Sequence, residues 1–152
     1  MAKRVVLDHV AILVSSLDEA LKDFMELLEL SPEDVIVARG LEDADDVVDA
    51  AFLNLGGAWL EILAPAKPGG AMSRALEKRG EGLHHICFST TDVDEELTRV
   101  KRLGLKLVDE KPRIDRFGVK YFYIHPSSTH RTLVCFIQRW VKTGPHSWSP
   151  SK

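Results

Sequence analysis

A chain of 152 residues suits one domain or two small fused units, and 45% apolar content is enough to bury a core. Its net charge of −3 gives no electrostatic case for nucleic acid or an anionic membrane surface, so neither is expected as a partner. No apolar stretch reaches the roughly 18 residues of a membrane span, and the opening MAKRVVLDHV meets Asp8 too early for a secretory signal. Cys87 and Cys135 show no CxxC spacing, which fits a reducing compartment and predicts a cytoplasmic protein without a disulfide framework.

The first strand is predicted over 6–14. Ser16 then stands at an N-cap position with Glu19 three residues later, a capping box. Leu17, Leu21, Phe24, Leu27 and Leu28 follow at helical spacing. The run Glu42-Asp43-Ala44-Asp45-Asp46 reads as a solvated loop. Val47–Leu55 and Ala58–Leu63 flank Asn54-Leu55-Gly56-Gly57, a hairpin signal. Ala71–Arg79 reads as a short helix within a linker, 64–82.

At Leu83 the pattern begins again, offset by 76 residues. Leu7 meets Leu83, His9 meets His85, Val10 meets Ile86, Asp18 and Glu19 meet Asp94 and Glu95, and Leu21 meets Leu97. The second copy has a strand at 83–90, a cap at Asp92, and Val93, Leu97, Val100 and Leu103 at helical spacing, closed by Gly104. Lys120–His125 and Thr132–Ile137 flank the turn Pro126–Arg131. The fold class is therefore α+β: two tandem βαβββ modules, about 5–63 and 83–138, in one domain over 1–138. The tail, 139–152, lacks periodicity and is expected to wrap the surface or fray.

Two histidines at the same place in two repeats single out His9 and His85. Glu61 stands in the middle of the apolar run Trp59–Leu63, where a carboxylate without a partner costs several kcal/mol. A metal ion is one such partner and a buried Arg or Lys is another. Cys135 occupies the place of Glu61 in the second copy, as a thiolate ligand or as a small core residue. Repeat symmetry would bring His9, Glu61, His85 and Cys135 together, and two imidazoles with a carboxylate suit a divalent transition metal with a position left for substrate. His84 faces away from His85 in a regular strand, and Cys87 reads as core.

The segments Leu7-Asp8-His9-Val10, Phe52–Gly56, Leu60-Glu61-Ile62-Leu63, Leu76–Ile86 and Ile124-His125-Pro126 with Ser128-Thr129 resemble those of the methylmalonyl-CoA epimerases. These belong to the vicinal-oxygen-chelate superfamily that includes glyoxalase I. The resemblance covers about residues 5–138 and implies a vicinal-oxygen-chelate domain with a central metal-binding cavity, acting on an acyl-CoA substrate as a homodimer. It implies a divalent ion (cobalt, zinc, manganese or nickel) on His9, Glu61 and His85, with the fourth family ligand, a Glu, replaced here by Cys135. It further implies Asp45 as a proton-transfer base, with Asp46 and Asp49 near enough to compete, and Cys135 as the opposite acid. A 1,3-dicarbonyl substrate loses its α-proton to a base on one face and regains one from an acid on the other. Another glyoxalase-like metal-dependent lyase or isomerase, and a non-catalytic small-molecule-binding protein, are the competing functions. Lys78, Arg79 and Lys120 are candidate phosphate contacts or solvated surface.

Overall fold

The structure, a computed structural model, describes residues 3–43, 46–144 and 147–150. The chain forms two compact units, one spanning His9–His84, the other comprising the residues up to Asp8 and those from His85 onward. None of its helices among the described residues is long and apolar enough to cross a membrane.

In the first half, β1 (Val5–Leu13), α1 (Leu17–Leu27), β2 (Val35–Asp43), β3 (Asp46–Asn54) and β4 (Trp59–Pro65) follow one another. Their sheet order is β2-β3-β4-β1. β1 runs parallel to β4, pairing Ala11 with Glu61, while β3 runs antiparallel to β4, pairing Phe52 with Glu61. The Ser16 side chain accepts from the Glu19 amide and caps α1, as the spacing predicts. Leu17, Ala20, Leu21 and Phe24 pack on Val14, Leu53, Ile62 and Ala64 on one side of the sheet. Leu27, expected on the same apolar stripe, is the last residue of α1 and is 72% exposed. The opposite side carries Ala11, Leu13, Val48, Ala50 and Leu63 against Met72, Ala75 and Leu76 of α2 (Ala71–Arg79).

The second half repeats the order: β5 (Gly82–Thr90), α3 (Val93–Arg102), β6 (Arg113–Ile114), β7 (Lys120–Ile124) and β8 (Val134–Gln138). Its sheet order is β5-β8-β7-β6. β5 is parallel to β8, pairing Cys87 with Cys135. Cys87 is the repeat partner of Ala11, so the Ala11–Glu61 and Cys87–Cys135 pairs hold equivalent places in the two halves. α3 lays Val93, Leu97 and Val100 on Phe122, Ile124 and Phe136. Gly104, at φ +71, ends it in the left-handed conformation that glycine adopts without a Cβ clash.

Two further expectations are corrected. Glu42 and Asp43 belong to β2 and Asp46 begins β3, so most of the acidic run is strand rather than loop. Asp46 is buried because its carboxylate has donors: Oδ1 accepts from the Val47 amide at 2.8 Å and Oδ2 from the Met72 amide at 2.7 Å, capping α2. The tail forms an antiparallel hairpin, β9 (Trp140–Gly144) with β10 (Ser147–Pro150). Strands of five and four residues are too short for a period of two to register in the sequence.

Candidate metal centre

Strand alternation decides which side chains meet. Leu60 and Ile62 point toward α1, so Glu61 points to the opposite side, beside Ala11 and Phe52. His9 lies two residues before Ala11 on β1 and shares that side. The two polar groups meet, with His9 Nε2 at 3.0 Å from Glu61 Oε2. Both residues are under one-tenth exposed, His9 at 7% and Glu61 at 8%. A carboxylate at such a site needs compensating partners, of which the imidazole is one.

His85 is likewise buried on β5. Its ring meets that of Tyr123 edge-on, with centroids 5.5 Å apart and planes at 87°. Tyr123 is held in turn. The Arg113 guanidinium lies over its ring at 5.3 Å, Arg113 Nε donates to Asp109 Oδ1 at 2.7 Å, and Asp109 Oδ2 accepts from the Tyr123 amide at 2.9 Å. This chain of contacts had a signal in the sequence: Tyr121 and Tyr123 alternate with core residues on β7 and therefore face the side that carries His85 and Cys135.

His9, Glu61 and His85 each offer a ligand atom, and these atoms lie within 4.8 Å of one another. Two neighbouring donors about 2.0–2.2 Å from one ion stand roughly 3 Å apart, as His9 and Glu61 do. Donor type, burial and spacing thus fit a divalent transition metal. Cys135, expected as a fourth ligand, is not in this group among the described residues. It is 2% exposed, a short side chain sunk in the sheet beside Cys87. Asp45, the expected base, lies outside the described residues. Of its neighbours, Asp46 is committed to α2, and Asp49 Oδ1 accepts from the Gly40 amide while Oδ2 meets Arg39. Asp18 beside it holds the Arg39 guanidinium above its ordinary range.

The candidate phosphate contacts are surface groups: Lys78 and Arg79 are exposed and Lys120 is ion-paired with Asp94. A small cavity of about 230 Å³ lies at the end of α2, lined by Leu13 and by Arg79 to His84.

The model of the Glyoxalase/Bleomycin resistance protein/Dioxygenase superfamily matches residues 8–123. The chain belongs to this superfamily. It is 31% identical over 128 residues to the uncharacterized protein YqjC of Bacillus subtilis, covering 84% of this chain and 88% of the relative. It is 28% identical over 130 residues to the ethylmalonyl-CoA/methylmalonyl-CoA epimerase of Cereibacter sphaeroides, covering 84% and 93%. Among solved structures, a methylmalonyl-CoA epimerase in complex with methylmalonyl-CoA and NH4+ superposes with a TM-score of 0.74 at 26% identity, covering 89% of this chain and 94% of that one.

Proposed function

We propose that the protein is a metal-dependent epimerase that moves the α-proton of a 2-substituted malonyl-CoA thioester. The observation that carries this reading is the buried set of His9, Glu61 and His85, three ligand-type side chains at repeat-related strand positions. The likeness to epimerases along most of the chain, and to a structure holding methylmalonyl-CoA, supports the substrate class.

His9, Glu61 and His85 would hold the ion, whose contribution when bound is Lewis-acid stabilisation of negative charge developing on a carbonyl oxygen. The surrounding residues do the rest. Ala11, Leu13 and Phe52 supply an apolar wall beside Glu61, which keeps water from competing for the donors. Asp45 is the proposed base on one face of the α-carbon. Its neighbours Asp46 and Asp49 are committed by hydrogen bonds elsewhere. Buried thiols at Cys87 and Cys135 suit a cytoplasmic setting, and a homodimer is the assembly carried over from the resemblance.

Two measurements test the reading. The purified protein should carry or take up a divalent ion, and methylmalonyl-CoA in D2O should gain deuterium at its α-carbon. Metal uptake without exchange would move the assignment to another metal-dependent lyase or isomerase of the superfamily. Neither uptake nor exchange would leave a binding protein.

A further inference from the structure

Epimerisation needs two proton-transfer groups, one on each face of the α-carbon. The strand position that the resemblance assigns to the second group holds Cys135, and its side chain is sunk in the sheet at 2% exposure. Tyr123 is the register partner of Cys135 on the neighbouring antiparallel strand, so the two side chains share one side of the sheet. Unlike Cys135, Tyr123 is only half-buried. Its ring also touches the ring of His85, a member of the ligand set.

We propose that Tyr123, rather than Cys135, is the second proton-transfer group of the proposed epimerase reaction. The inference rests on the epimerase reading above and assigns to that site a residue that the sequence comparison passes over.

Three features of the surroundings suit the role. Tyr123 is fixed along the backbone by its ladder to β8 and by the Asp109 carboxylate that accepts its amide. Its ring is sandwiched by cation and aromatic contacts, with Arg113 over the face and both His85 and Tyr121 edge-on, at 5.5 Å and 6.1 Å between centroids. These contacts restrict the motion of the ring. A phenol also carries one transferable proton, and its oxygen accepts one in return. In the forward step the tyrosine O–H bond breaks as a C–H bond forms at the α-carbon, and the electron pair of the O–H bond stays on the phenolate. The proton taken by the base on the opposite face passes to water, the phenolate regains one from water, and nothing is oxidised or reduced. In the reverse direction the phenolate takes the α-proton and the opposite acid returns one.

Stereospecific exchange separates this role from a structural one. A two-group enzyme that loses one group stops interconverting epimers but still exchanges the α-proton of the epimer served by the other. The cobalt-loaded native protein, Tyr123→Phe and Cys135→Ser should each be incubated in D2O with (2R)- and with (2S)-methylmalonyl-CoA, following epimer ratio and α-deuterium by NMR. Tyr123→Phe keeps the ring and should keep its cobalt, while epimerisation falls about 10²–10⁴-fold and deuterium still enters one epimer with retention. Cys135→Ser should epimerise at the native rate. Epimerisation at the native rate by Tyr123→Phe, loss of exchange from both epimers in it, or one-sided exchange in Cys135→Ser would each overturn the assignment. If the native protein exchanges neither epimer, the epimerase reading falls and this inference falls with it, whatever the variants do.

Discussion

The two halves of the chain use one frame and fill it differently. At equivalent places in the parallel strand pairs, the first half sets Ala11 beside Glu61 and the second sets Cys87 beside Cys135. One pair is a carboxylate with a methyl neighbour, the other two thiols. In the helices, Ala20 of α1 packs against the sheet, whereas its repeat partner in α3 is Glu96, wholly buried. Glu96 is tolerated because Arg4 Nη2 and Arg99 Nε reach its two oxygens at 2.7 Å and 2.6 Å. The first acidic residues of the helices behave alike: Asp18 pairs with Arg39 and Asp94 with Lys120, each a cation on a strand of the same half. The repeat thus preserves backbone places, and the side chain at each place decides between packing, anchoring and chemistry.

The sharpest way to break the comparison is at Glu96. Glu96→Ala makes the second half resemble the first but leaves the half-exposed Arg4 and Arg99 without their buried acceptor, so it should cost up to about 3 kcal/mol by denaturant titration. The loss should shrink when Arg4 and Arg99 are also replaced by alanine and leucine, since no cation is then left without its acceptor. A penalty unchanged in that triple variant would mean that Glu96 matters for packing rather than for pairing.

Next in size is Gly70. A Cβ there would stand 2.0 Å from Asp46 Oδ1, displacing the carboxylate that caps α2. Gly70→Ala should destabilise by about 1–3 kcal/mol, the usual cost of overpacking. Asp46→Ala combined with Gly70→Ala should cost less than the two single losses added together, because the clash needs the carboxylate. Additive losses in that cycle would disconnect Gly70 from Asp46.

Smaller still is the cap comparison. Ser16→Ala and Asp92→Ala remove the side-chain acceptor for the Glu19 and Glu95 amides, and each should cost about 1 kcal/mol. Similar losses are expected because the two caps share one geometry, at 3.3 Å and 2.9 Å. Arg39→Ala, which removes an exposed ion pair, should change stability by less than about 1 kcal/mol.

Much of this was readable before any coordinates. The 76-residue offset places β1 and α1 and their partners β5 and α3, because an apolar period survives substitution by type. Ala71–Arg79 is helical as expected, following the Pro-Gly-Gly break and ending at Gly80. Glu61 stood out because a charge inside an apolar run demands an explanation. The hidden features share a different cause. β2 changes register between Ala38 and Leu41, around Arg39 and Gly40, which destroys its alternation, and β6 has only two residues. The role of Asp46 depends on an amide 26 residues away, and the contact of Tyr123 with His85 crosses strands 38 residues apart in sequence. Leu27 and Leu103 match the helical period yet stand 72% and 59% exposed, one the last residue of α1 and the other the C-cap of α3, and period alone does not say where a helix ends.

The central claim is that Glu61 and the two histidines form a metal centre while its repeat counterpart Cys135 does not contribute to it. The most direct measurement is cobalt affinity of the native protein, Glu61→Gln, His85→Ala and Cys135→Ser, by equilibrium dialysis with metal analysis. Glu61→Gln and His85→Ala should each weaken binding by more than the roughly 10–100-fold typical of outer-shell changes, with Cys135→Ser matching the native protein. Native-level binding in His85→Ala, or a loss in Cys135→Ser as large as in Glu61→Gln, would contradict it.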